Sequence, residues 1–146
     1  VSDPAGHSYG KAPHRPPPLD PNNWRASQAY LHGLDLFNHG FFWEAHEVWE
    51  GLWHAAGRKG LIADFLKGLI KLAAAGVKVH EGKPEGLRSH LARAGQLFQQ
   101  VAEARTGQGD FYLGLQLSDL IRKTQEAGEN LTSFSLILSP TDRTGA

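Results

Sequence analysis

The chain has 146 residues, 15 Lys and Arg against 15 Asp and Glu, a formal net charge of zero, and neither cysteine nor methionine. That length holds one domain with a real core and is short for two. Interspersed charge offers no basic stripe for a nucleic acid. The missing cysteines exclude disulfides, thiolate metal sites and cysteine nucleophiles, and are compatible with a reducing cytoplasm.

The first residues, VSDPAGHSYG, show no apolar stretch of secretory type. Residues 1–21 hold six of the eight prolines and read as an extended arm, draped on the surface or serving as a proline-rich docking ligand. Asp20 to Asn23 offer caps for a first helix over Asn23–Asn38, with Trp24, Tyr30, Leu31, Leu34 and Phe37 inward. Asn38-His39-Gly40 makes a tight corner, where Asn38 either satisfies backbone groups of the turn or sits at a site. A second helix runs over Phe41–Ala56 and stops at Gly57.

The third helix, Leu61–His80, carries the widest apolar arc and is expected to be the most buried. Asp64, Lys67, Lys71 and Lys78 interrupt it, which a membrane span tolerates poorly. Gly68 and Gly76 cost about 1 kcal/mol each relative to alanine; close packing against the indoles of the second helix would offset that. Pro84 opens a fourth helix to about Arg105, with Leu87, Leu91, Ala94, Phe98 and Val101 inward and Arg88, Arg93, Gln96 and Gln100 solvated. Asp110 caps a fifth, Phe111–Ala127. The alternating LTSFSLILSP would be a strand if it had a partner; with none elsewhere, it is expected to be an extended segment packed on the helices. The expectation is an all-α single domain: a bundle of about five helices over 22–138, an extended proline-rich N-terminal arm over 1–21, and an extended C-terminal tail that frays over 139–146.

Chemistry concentrates in Phe37–Trp53, FNHGFFWEAHEVWEGLW, which holds three of the four tryptophans. At 100° per residue, Phe42, Ala45, Val48, Trp49, Leu52 and Trp53 fall on one apolar arc. His46 and Glu50 share its edge, next to Trp43 and Trp53. A histidine and a carboxylate one turn apart in partly apolar surroundings is a setting that shifts pKa values.

Three readings follow. His46 and Glu50 can face one divalent metal, the candidate cofactor, with further ligands from His80, His39, His54 or His90 and with Glu47 or Glu50 as base. Against this stand Lys67 and Lys71 on the neighbouring helix, which would repel a cation and pair with Glu50 or Glu47 instead. Alternatively, His46, Glu50 and Lys71 satisfy one another as a structural polar network. In the third reading Trp43, Trp49, Trp53 and Phe42 line an apolar pocket with His46 and Glu50 as polar anchors; Trp49 reads also as plain core, and Trp43 as touching the N-terminal arm, a subunit partner or a ligand. His46 as a metal-free base oriented by Glu50 is a further possibility.

The same stretch, followed by FLKGLIKLAAAGVKVHEGKPEG, resembles the DUF309 family of small bacterial and archaeal helical proteins. Phe37, Asn38, Gly40, Glu44, His46, Glu47, Glu50 and Trp53 fit its first motif in order. The resemblance spans roughly Trp24 to Phe98 and, more loosely, FSLILSP. The family often has glutamine where this chain has Lys67 and Lys71. The resemblance implies a compact helical bundle, and the family's general description, predicted metal-dependent hydrolase, implies a hydrolase. On that reading His46, Glu47 and Glu50 are catalytic, His46 and Glu50 hold the metal, and Trp43, Trp53, Asn38, Lys67 and Lys71 bind ligand. The expected partners are a small molecule or a second copy of the chain, with no nucleic acid and no membrane, in the cytoplasm.

Overall fold

The computed structural model describes residues 16–129 and 136–140. Among these, five α-helices follow a short 3-10 segment: α1 Gln28–Asn38, α2 Phe42–Ala55, α3 Leu61–Glu81, α4 Pro84–Ala104 and α5 Leu117–Glu129. Helices adjacent in sequence pack on one another, as short connections favour. The third helix is the most buried, contributing ten buried residues, among them Phe65, Leu66, Leu69, Leu72 and Ala73. No helix among the described residues is long and apolar enough to cross a membrane.

The first helix does not run unbroken from Asn23. Pro21–Ala26 form a 3-10 segment in which Asn23 leaves helical geometry. Ser27 then starts α1 afresh, its hydroxyl accepting from the Tyr30 N–H at 3.2 Å, as N-cap serines do. Leu19, inside the stretch expected to be an arm, is buried in the core. Of the remainder of that stretch, residues 1–15 lie outside the described residues.

Nor does Asp110 cap a helix at Phe111. A small hairpin intervenes, with β1 Phe111–Tyr112 pairing antiparallel to β2 Leu115–Gln116. Its two turn residues, Leu113 and Gly114, both have positive φ, 52° and 80°, the signature of a type I′ turn. Leucine resists that conformation. Here Leu113 is held by burial and by the Tyr30 hydroxyl, which donates to its carbonyl at 2.7 Å. Gly114 passes so close to Trp24 that an added Cβ would lie 2.6 Å from the indole. Asp110 still caps α5 across the hairpin: its carboxylate accepts from the Ser118 N–H at 3.1 Å, and its carbonyl from Leu117 N–H at 2.7 Å.

The helix-breaking glycines allow close approach, but not to the indoles of α2. A Cβ on Gly68 would meet Phe98 of α4 at 2.5 Å, and one on Gly76 would meet the Phe42 ring at 2.4 Å. The indole contact belongs to Gly33 of α1, where Trp49 fills the space. Residues 136–140 are extended and packed on the helices, with Leu136 and Leu138 buried and Ile137 exposed. Of the tail's remaining stretches, 130–135 and 141–146 lie outside the described residues.

Candidate functional site

The motif helix α2 begins after a sharp corner at Gly40, whose φ is 85°. Phe41 stands at the N-cap and makes no side-chain cap. The corner is closed instead by backbone, Phe41 N–H to Leu36 carbonyl at 2.9 Å. Ala45, Trp49 and Leu52 then point into the core. Trp43 and His46, one turn apart, lie at its margin with their rings stacked, centroids 5.4 Å apart and planes within 6°. Trp43 keeps 49% of its surface exposed, and Phe41 beside it 53%.

His46 is half-buried, and its Nδ1 is enclosed with no hydrogen-bond partner. Desolvation lowers its pKa; Glu50 and Glu47 pull upward, Lys67 and Lys71 push down with the burial, and the net direction is down. A proton added at Nδ1 would be buried without an acceptor, so the ring is neutral at neutral pH.

The lysines of α3 face this edge. Lys67 places its Nζ 3.8 Å from the centroid of the Trp53 ring, a cation–π contact. Burial and the charges of Lys71 and Arg93 lower its pKa, against the pull of Glu50. From α4, His90 is lowered as well, by burial and then by Lys71, Lys78 and His46. The site is therefore built from three helices: His46, Glu50 and Trp53 from α2, Lys67 and Lys71 from α3, His90 and Arg93 from α4.

The pairings expected within it do not form. Among the described residues no hydrogen bond or ion pair joins His46, Glu47, Glu50, Lys67 or Lys71 to one another; Lys67 lies on an indole instead of a carboxylate. The polar-network reading thus lacks its bonds, and the metal-free base lacks its orienting contact with Glu50. Asn38 is committed elsewhere. Its amide donates to the Leu138 carbonyl at 2.7 Å and its oxygen accepts from the Leu138 N–H at 2.8 Å.

Nor do the residues fit a divalent cation. Among the described residues there is no group of three or more His, Asp or Glu side chains arranged to hold one. His39 pairs with Asp35, His54 lies against Trp53, and His80 is exposed beside Phe42. The groups nearest His46 and Glu50 include two ammonium side chains, which oppose a metal.

Sequence reasoning named His90 only as one histidine among several; Arg93, set on the solvated face, is indeed exposed, and what it missed is that this face meets the lysines of α3. The short turn at Gly82 makes α3 and α4 an antiparallel hairpin, with Lys78 against Gly86 and Gly68 against Phe98. The same register brings Arg93 level with Lys71. A separate groove of about 720 Å³ lies between α4 and α5, lined by Leu91, Gly95, Gln96, Gln99, Ile121 and Thr124, and shares none of the site's residues.

Residues 30–90, which contain the α2 motif and all of α3, match the family described as Domain of unknown function (DUF309). No curated protein matches the chain.

Proposed function

We propose, from the geometry of the segment that matches the DUF309 family, that this chain is a helical binding module taking a small molecule where α2 meets α3 and α4. The observation that carries this reading is the ring pair Trp43–His46. Half of the Trp43 surface faces water, and the imidazole it covers keeps a buried nitrogen unpartnered. A ring turned outward on a polar neighbour adds less to the fold than an apolar side chain would there. Both features suit a recognition surface, in which aromatic walls supply contact area and a few polar groups fix orientation.

In this reading Trp43 and Trp53 are the walls and neutral His46 is the polar anchor, with Nε2 as the ring nitrogen a ligand can meet. Asn38 has no part in it, because its amide is used by Leu138. Hydrolysis through a metal is not proposed, since among the described residues no third ligand joins His46 and Glu50. Glu47 is exposed and serves as a solubilising edge, and Glu50 tunes the local charge.

Benzamide, a planar uncharged hydrogen-bonding probe, tests the reading. Titration followed by tryptophan emission is expected to give a saturable change that disappears in Trp43→Ala and in His46→Ala, while the urea midpoint of Trp43→Ala stays near the parent value. A signal that fails to saturate, or one that persists unaltered in Trp43→Ala, removes the reading.

A further inference from the structure

We propose that the seam of α3 and α4 beside His46 is an oxyanion-binding site, in which Lys67, Lys71 and Arg93 take the carboxylate or phosphate group of an organic anion. The inference rests on the binding-module reading above and names the class of ligand.

Several cations elsewhere in the described residues are matched by carboxylates, and Arg105 by backbone carbonyls, while Arg58, Lys59 and Arg88 stand out on the exposed surface. Lys78 and Lys83 pair with Glu81, Lys123 with Asp119, and Arg122 with Asp119 and Glu126. The three at the seam are not. Lys67 sits over Trp53, and Arg93 donates to the neutral amide of Gln96 at 3.3 Å. Lys71 makes no hydrogen bond or ion pair among the described residues. Yet Lys67 and Lys71 stand one turn apart on α3, the α3–α4 register sets Arg93 level with them, and Lys71 and Arg93 both act on Lys67. Like charges gathered without an ion-paired carboxylate disfavour the fold. Glu50 is the carboxylate that attracts Lys67, but it stands beyond ion-pair distance.

An oxyanion placed among these groups would relieve the repulsion and meet several N–H donors from two helices. Two flanking imidazoles are held neutral by burial and by nearby lysines, Lys67 and Lys71 at His46 and Lys71 and Lys78 at His90, so each can donate one N–H without adding charge. Trp43 and Trp53 then contact the body of the ligand. The arrangement favours a planar organic acid or phosphate ester over a bare ion.

Calorimetric titrations with inorganic phosphate and with acetate on the full chain separate the two head groups, and phenyl phosphate and benzoate repeat them with a planar body. One saturable site is expected for at least one head group, tighter with the ring attached and weaker with added salt. The double variant Lys67→Gln/Lys71→Gln should lose about tenfold or more in affinity, while its urea midpoint holds or rises because repulsion is removed. Trp53 emission should respond as Lys67 shifts from the ring. Absence of saturable binding by either head group, or equal affinity in the double variant, overturns the proposal. Anion binding that survives when benzamide binding has failed counts against the earlier reading alone; the reverse pattern counts against this one alone.

Discussion

Asn38 and Leu138 exchange two hydrogen bonds across 100 residues of sequence, the side-chain amide giving and receiving at 2.7 and 2.8 Å what a neighbouring strand would supply. One side chain thus serves as a single rung of β-ladder. It lets an extended segment with a strand's alternating pattern lie on a helical bundle without leaving the Leu138 backbone unsatisfied. Replacing Asn38 with Ala should cost about 1–3 kcal/mol, read as a lower urea midpoint, with faster amide exchange at Leu138. Asn38→Asp should be at least as damaging, because a carboxylate would face the Leu138 carbonyl without a donor between them.

Two helical glycines should respond in opposite directions to the same substitution. Gly76→Ala puts a Cβ 2.4 Å from the Phe42 ring, so packing must give, at about 1–3 kcal/mol, despite the gain in helix propensity. Gly95→Ala places its methyl 3.9 Å from the Thr124 side chain, an ordinary contact, and should stabilise by up to about 1 kcal/mol. Thermal midpoints of the two variants, taken together, check the pair.

Tyr30→Phe removes the hydroxyl that donates to the Leu113 carbonyl inside the core. The lost bond leaves that acceptor buried, and the backbone it steadies is a leucine at φ 52°. A destabilisation of about 1–3 kcal/mol is expected, concentrated in the hairpin. Amide exchange should quicken at Tyr112 and Leu115 before it does in α3.

Acid should destabilise the protein in part through His46 and His90. Both have folded pKa values below those of a free imidazole, chiefly through burial. The unfolded chain therefore takes up protons first as pH falls. Stability is fully present above the ordinary histidine pKa and is lost as pH falls through it towards the lowered folded values. Urea midpoints between pH 7 and pH 5 should decline less steeply in His46→Gln/His90→Gln than in the parent chain. An equal slope in both would assign the acid loss to other groups.

Much of this protein could be read from the order of its residues. Periodicity located the five α-helices and ranked α3 as the most buried, since a wide apolar arc has to be covered on most of its circumference. Gly40, Gly57, Gly82 and Pro84 marked the boundaries through local backbone preference alone. The motif on α2 marked the family and set Trp43, His46 and Trp53 along one edge, because helical spacing is a local property. Local rules failed where distant segments decided. Ser27 restarted α1 because the chain kinks at Asn23, and the Leu113–Gly114 turn formed in a stretch that reads as helix because Tyr30 and Trp24 hold it from across the fold. Asn38 looked like a corner residue until Leu138 arrived. Whether Lys67 meets a carboxylate or an indole, and whether Arg93 stands near Lys71, depends on how α2, α3 and α4 are set against one another. Spacing along a helix fixes which side chains share a face, but only the packing between helices fixes what that face meets.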